Sequence, residues 1–135
     1  MLNTLNKLFL LVCIAVLCLA QINPETHIKT IQIGSMGQSD EAERFRLLLD
    51  SELGKVGFAT TDDPAHANAI LTGALSVRVY ADTSRARVTL VLKTPDGKQI
   101  WGKDFQPHVS FKGSRDTVKL RAQDAARTLK KDLQP

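Results

Sequence analysis

The stretch A-I-L-T-G-A-L-S-V-R-V-Y, residues 69–80, decides the fold because its side chains alternate in character. One set of alternate positions is apolar or glycine: Leu71, Gly73, Leu75, Val77 and Val79. The intervening positions are small or polar, except for one aromatic: Thr72, Ala74, Ser76, Arg78 and Tyr80. Successive side chains of a strand point to opposite faces, so the pattern predicts a strand with one buried face and one face in water, as in an antiparallel sheet.

Residues 85–93 repeat this alternation and predict the neighbouring strand. The inward set is Ala86, Val88, Leu90 and Leu92, and the outward set is Arg85, Arg87, Thr89 and Lys93. The turn Pro95-Asp96-Gly97 follows, where proline presets φ and glycine accepts a positive φ. Residues 99–105 then return as the partner strand, and residues 107–113 form a loop.

Two stretches have the apolar spacing of helices. In residues 40–56 the stripe recurs every three or four positions, at Ala42, Phe45, Leu49, Leu53 and Val56. Asp40 is predicted as its N-cap, with Glu43 completing a capping box, and Gly57 as its C-cap. Residues 116–133 predict a second amphipathic helix that buries Val118, Ala122, Ala125, Leu129 and Leu133.

Short strands over residues 27–33 and 58–61 flank the first helix and give the order β-α-β-β-β-β-α. Each helix has an apolar stripe to bury, and the strands of the meander have one apolar face. We therefore predict an α+β fold, a two-layer sandwich in which two helices pack on one face of a mostly antiparallel sheet.

The first twenty residues predict export. Lys7 precedes an apolar run that closes with small residues around Ala20, the layout of a secretory signal peptide. The run is shorter than the about 20 apolar residues that cross a bilayer. We expect cleavage after Ala20, which leaves residues 21–26 as a lead-in and residues 27–135 as a single α+β domain in the periplasm or cell envelope. The alternative is that the leader is retained, in which case it would anchor the protein to a membrane.

The residue inventory contains little that could support catalysis. Both cysteines lie in the leader, each after a bulky residue rather than the small residue of a lipobox, so we expect no lipid attachment and no thiol in the mature chain. The histidines, His27, His66 and His108, are scattered without metal-ligand spacing. Asp62 and Asp63 beside His66 are typical of a solvated turn with a cap. We predict no enzyme activity, no catalytic residue, no metal and no cofactor.

Nearly all of the expected mature chain resembles small bacterial envelope domains. The residues that carry the resemblance are Gly57-Phe58, the strand start Ala69-Ile70-Leu71-Thr72-Gly73, and Asp96-Gly97 followed by Trp101. Similar patterns occur in the TolB amino-terminal domain, CsgG-like proteins, lipoproteins that activate penicillin-binding proteins, and LptE-type lipoproteins. The chain lacks the lipobox that most of these proteins carry, the propeller of TolB and the pore-forming hairpins of CsgG. The resemblance implies a non-enzymatic module that docks to other envelope proteins.

The candidate binding face combines basic and aromatic side chains, the composition enriched at interfaces. Its residues are Arg78, Tyr80, Arg85, Arg87, Trp101 and Lys103. Trp101 and Lys103 alternate with Ile100 and therefore share a face with each other. We favour the alternative in which Trp101 is buried or half-buried, because large aromatics dominate core burial.

The sequence thus predicts an exported accessory module that binds an envelope protein or an envelope polymer. A basic sheet is also typical of RNA-recognition modules, but no strand carries their pair of exposed aromatics, and export would separate the chain from nucleic acid. We therefore expect no nucleic-acid partner. A small hydrolase that uses His66 or His108 is a third hypothesis.

Overall fold

A computed structural model describes residues 27–107 and 114–134 of the chain. The elements in chain order are β1 (Thr30–Ile33), α1 (Asp40–Lys55), β2 (Ala59–Thr61), a 3₁₀ turn (Pro64–His66), β3 (Ala69–Val79), β4 (Ser84–Lys93), β5 (Gln99–Phe105) and α2 (Ser114–Leu133). The predicted order is confirmed. The predicted leader (residues 1–20), the predicted lead-in (residues 21–26) and residues 108–113 of the predicted loop lie outside the described residues. Within the described part, neither helix has the length and apolarity needed to cross a bilayer.

The five strands form one mixed sheet in the order β2-β1-β3-β4-β5. β1 pairs in parallel with β2 and with β3 over short stretches. β3 with β4, and β4 with β5, form longer antiparallel pairs. The sheet is therefore mostly antiparallel, and the predicted α+β class is confirmed.

Both helices pack on one face of this sheet, which we call the covered face; the other is the open face. The predicted stripes are buried at Ala42, Phe45, Leu49 and Leu53 of α1 and at Val118, Ala122, Ala125 and Leu129 of α2. Val56 and Leu133 are partly buried at the ends of these stripes. The predicted inward residues of β4 meet them, because Ala86, Val88, Leu90 and Leu92 are all at most 1% exposed.

β3 extends beyond the core that its first half helps to build. Leu71 is buried, Leu75 and Val77 are partly buried, and Val79 is 67% exposed. The alternation predicted Val79 on the apolar face, and the register does place it on the covered side, opposite Ser84. It is exposed nonetheless, because β3 runs past the region that the described helices cover.

Glycine at position 73 allows a close approach inside the covered face. A Cβ there would lie 2.7 Å from Leu90 Cδ2 and 3.3 Å from the buried Met36 Sδ, and would press on the backbone oxygen of Thr89. Met36 is held against β3 because the chain after β1 continues alongside it. The Gly73 amide donates to the Ser35 carbonyl at 3.1 Å, and the Leu75 amide donates to the Met36 carbonyl at 3.0 Å.

The ends of α1 show one wrong prediction and one confirmed. The N-cap is Ser39, not Asp40: its hydroxyl accepts from the Ala42 amide at 3.1 Å, and Asp40 is the first helical residue. Glu43 consequently forms no capping box and instead binds Arg46. At the other end Gly57 has φ +100°, and the Phe58 amide donates to the Leu53 carbonyl at 3.0 Å. These are the positive φ and the backbone hydrogen bond of a Schellman C-cap.

Two predicted strand boundaries were also wrong. β1 begins at Thr30 instead of residue 27, since the Lys29 and Thr30 amides both donate to the Asn68 side-chain oxygen. β3 ends at Val79, because the Tyr80 amide donates to the Thr83 carbonyl at 2.7 Å and closes the turn toward β4.

Candidate binding face of the sheet

Four of the six predicted site residues lie together on the open face. Arg78 of β3 is directly opposite Arg85 of β4, and the next outward pair along the strands is Ser76 with Arg87. With Tyr80 and Pro107 these residues line one cleft of about 360 Å³. We call Arg78, Tyr80, Arg85 and Arg87 the arginine face.

Tyr80 is held beside the arginines without being buried. The Arg85 guanidinium carbon lies 5.6 Å from the centroid of the Tyr80 ring, within cation–π range. The ring is at the strand end, and the residue remains 49% exposed. The contact orients one guanidinium and leaves its hydrogen-bond donors available to a ligand.

Arg87 is neutralised within the sheet. Its Nη2 lies 2.5 Å from Asp104 Oδ2 of β5, and its Nε donates to Oδ1 at 3.2 Å. Asp104 also accepts hydrogen bonds from Thr89 and Gln106. The pKa of Asp104 is lowered below its ordinary value, and the main cause is its hydrogen bonding to Arg87. The same contact raises the pKa of Arg87. Both groups are charged at neutral pH.

Arg78 and Arg85 have no such partner: no carboxylate in the described part of the chain forms an ion pair with either of them. Both side chains are exposed. Because the two residues are directly opposed, their side chains lie on the same face of the sheet. Like charges placed directly opposite each other destabilise an antiparallel pair. Within the described part of the chain, the end of the longest hairpin therefore carries a cationic pair that no carboxylate neutralises.

Trp101 and Lys103 do not belong to this face. The register of β5 places Trp101 opposite Leu92, Lys103 opposite Leu90 and Phe105 opposite Val88, so all three are on the covered side. Trp101 is partly buried and donates its indole N–H to Asp132 of α2 at 3.0 Å. The preferred reading of Trp101 as half-buried agrees with this position, whereas the grouping of six residues on one face was wrong.

Lys103 is exposed although it is on the covered side. β5 is one of the two edge strands of the sheet, and the Lys103 ammonium projects over the Phe105 ring at 6.0 Å from its centroid. It points away from the cleft, so the arginine face works without it.

The histidines that the structure describes are separate from the cleft. His66 is exposed in the 3₁₀ turn, where its Nδ1 lies 2.6 Å from Asp63 Oδ2, and Asp63 caps the turn by accepting from the Ala65 amide at 2.9 Å. This is the solvated capped turn that the sequence predicts. Among the described residues no three His, Cys, Asp or Glu side chains come close enough to hold a metal ion. His108 lies outside them.

Sequence reasoning missed three contributors to the site: Asp104, Ser76 and Pro107. Asp104 was overlooked because its bond to Arg87 is diagonal across two strands and depends on the β4–β5 register. One sequence signal could have identified Asp104: in the run K-D-F, residues 103–105, it alternates with two residues that lie on the covered side.

The fold of the chain is found in bacterial proteins of known structure. The PelC dodecamer from Paraburkholderia phytofirmans matches with a TM-score of 0.60 and 13% identity, over 73% of this chain and 86% of that one. A variant PelC dodecamer from the same organism matches at 0.57 and 16%, over 82% and 91%. A DUF4136 family protein from Bacteroides thetaiotaomicron matches at 0.47 and 10%, over 84% and 92%.

These likenesses concern the fold. No family model matches the chain, and no curated protein matches it either. A small α+β domain of a type present in bacteria is what the comparisons support, and the finer resemblance to TolB, CsgG-like, activator and LptE-type proteins stays a prediction.

Proposed function

We propose that this chain is an exported, non-enzymatic accessory module of the bacterial envelope, which docks through the arginine face onto an anionic site of an envelope protein or polymer. The observation that carries the proposal is the opposed pair Arg78 and Arg85. The pair is exposed, has no carboxylate partner among the described residues, and lines a cleft with an accessible tyrosine.

The energetics of the pair support a role outside folding. Directly opposed like charges cost a sheet stability, by roughly 0.2–1 kcal/mol for a cross-strand pair. An anionic ligand removes that repulsion and gains charge-assisted, bidentate hydrogen bonds from each guanidinium. The arginine pair therefore costs the free chain a little stability, and an anionic ligand that binds it recovers that cost.

Three further features support the proposal. The leader over residues 1–20 has the layout of a signal peptide, and the sequence resembles envelope modules that bind other proteins. PelC, which has a similar fold, forms a dodecamer, so a domain of this shape can serve as a docking unit.

Charge reversal tests the proposal. The double variant Arg78→Glu/Arg85→Glu and the wild-type chain are used as baits in envelope extracts, with Lys93→Glu as the matched control. Lys93 lies on the open face of β4, the strand that carries Arg85. It is at the other end of that strand, opposite Ile70. We expect the double variant to lose captured partners that both other baits retain. An identical set of captured partners for all three baits would overturn the proposal.

Export has its own test. Cell fractionation followed by amino-terminal sequencing should find a product that begins at Gln21 in the soluble envelope fraction. An abundant soluble form inside cells that still begins at Met1 would contradict the export part of the proposal.

A further inference from the structure

Along its outer half, residues 76–79, β3 has a backbone edge that no described residue pairs with, which we call the free edge. The Gly73 and Leu75 amides donate toward the segment after β1, and alternate amides of a strand point to the same side. The Val77 and Val79 amides therefore point to this side too. Backbone pairing on this side stops at Leu75, and no described residue continues it along residues 76–79.

This free edge is about 13 Å long, at about 3.3 Å per residue. On its other side the same stretch is firmly paired, because Arg78 and Val79 pair with Arg85 and Ser84 of β4. The edge is thus an ordered strand with one row of unused donors and acceptors, the template that a partner strand needs.

Side chains around the edge alternate in character. Val77 is partly buried and Val79 is 67% exposed on the covered side, while Arg78 between them belongs to the arginine face. A charged residue on an edge strand can serve merely to prevent aggregation. Exposure of Val79 argues against protection alone, because it adds apolar surface to the edge instead of removing it.

We infer that this edge of β3 receives an extended strand from a protein partner in which acidic and apolar residues alternate. The backbone of the partner continues the ladder at Val77 and Val79. Its acidic side chains lie on the open face against Arg78 and the neighbouring Arg85, and its apolar side chains contact the two valines. Strand addition of this kind derives affinity from main-chain bonds and specificity from alternate side chains.

The inference rests on the proposed function and narrows it to a protein partner. An acidic polysaccharide would meet the guanidinium groups, but it has no strand backbone to continue the ladder and no alternation to match the valines. Polymer binding is therefore the competing outcome of the test.

The first measurement compares defined probes on the full chain. A short peptide of alternating Glu and Val is titrated against a peptide of the same composition with the residues in two blocks, and amide chemical shifts are followed. We expect the alternating peptide to bind about tenfold more tightly, with shift changes centred on residues 76–79, since only it satisfies both faces at once. Equal affinities would overturn the inference.

The second measurement removes the backbone bonds. Val79→Pro deletes one edge amide without touching the bonds to β4, and should weaken the alternating peptide about fivefold, as expected for one backbone hydrogen bond. A peptide N-methylated at the alternate positions that face β3 makes the same test with the protein unchanged. Full affinity of the N-methylated peptide would overturn the inference, even if the proline variant fails to fold.

The envelope baits separate this inference from the proposed function. Loss of the captured partner with both Arg78→Glu/Arg85→Glu and Val79→Pro supports strand addition. If only the charge reversal loses it, and polygalacturonate binds the chain equally well with and without Val79→Pro, the strand is overturned while the proposed function stands. If the charge reversal loses nothing, both fail.

Discussion

The two faces of the β3–β4 pair are built from the same two strands and differ in almost every physical respect. On the covered face Leu71, Val88, Leu90 and Leu92 are at most 1% exposed and pack against both helices. On the open face Arg78, Arg85 and Arg87 are exposed, and two of them form no ion pair with any described residue. One face stabilises the domain through buried apolar area. On the other face only Arg87 is paired, with Asp104, while the charges of Arg78 and Arg85 form no ion pair within the described residues.

The comparison indicates which substitutions should affect the fold and which should affect binding. Changes on the covered face remove packing and leave cavities or overlaps, which cost several kcal/mol. Changes on the open face alter solvated charges, which contribute little to stability. Matched variants on the two faces should therefore separate these effects.

The largest effect is expected at Phe45, which is fully buried between the helices and the sheet. Phe45→Ala should lower the free energy of unfolding by about 3–5 kcal/mol, because a large cavity is left in the core. Tyr80→Ala is the matched aromatic change on the open face and should cost less than about 1 kcal/mol. Urea unfolding followed by circular dichroism measures both, and similar losses would contradict the assignment of the two faces.

Gly73 and Gly102 offer the same comparison with a single methyl group. Gly73→Ala should cost about 1–3 kcal/mol, since the new Cβ meets Leu90, Met36 and a backbone oxygen. Gly102→Ala on the open face of β5 meets, at 2.8 Å, the end of the flexible Gln99 side chain, which can move aside. A larger loss for Gly102→Ala than for Gly73→Ala in thermal unfolding would contradict the packing described here.

Trp101 tests the corrected position of β5. Trp101→Phe removes the hydrogen bond to Asp132 and should lower the free energy of unfolding by about 1 kcal/mol. Asp132→Asn keeps an acceptor for the indole and should cost less. Because this is the single tryptophan, unfolding must be followed by far-ultraviolet circular dichroism. Should Trp101→Phe have no effect while Asp132→Asn destabilises, the indole would not be making this bond.

Asp104 provides a smaller, pH-dependent effect on the open face. Its pKa is lowered in the folded chain, chiefly by Arg87, so the contact stabilises the fold above the unfolded-state pKa and is lost as the pH falls through the folded-state pKa. Wild type should therefore be more stable than Asp104→Asn at pH 7, and the difference should shrink once the pH falls below the ordinary carboxyl value of 3.8. Urea midpoints at both pH values measure it, and a difference independent of pH would contradict the pairing.

Much of this fold follows from side-chain periodicity. The alternation in β4 places Leu90 and Arg87 on opposite faces, and the helical stripe around Phe45 is buried as the spacing predicts. β5 could not be assigned in the same way, because Ile100 and Trp101 are adjacent large apolar residues and either could face inward. The face was decided by pairing with β4, in which Phe105 is opposite Val88.

The remaining differences between the predictions and the structure have two causes. Neighbouring residues compete for one role, or the contact joins residues that are far apart in the sequence. Ser39 and Asp40 are both good caps in adjacent positions, and their residue types alone do not decide between them. The arginine face was only partly predictable. Alternation puts Arg78 and Arg85 on one face, but their direct opposition and the neutralisation of Arg87 by Asp104 depend on the register of the strands.

If Arg78 and Arg85 serve binding and not folding, as we propose, removing their charges should leave the chain as stable as before. Urea unfolding of Arg78→Gln/Arg85→Gln should give a free energy of unfolding equal to wild type or higher by a few tenths of a kcal/mol, about what relief of an opposed like-charge pair provides. A loss of more than about 1 kcal/mol would show that the arginines stabilise the fold and would contradict the account.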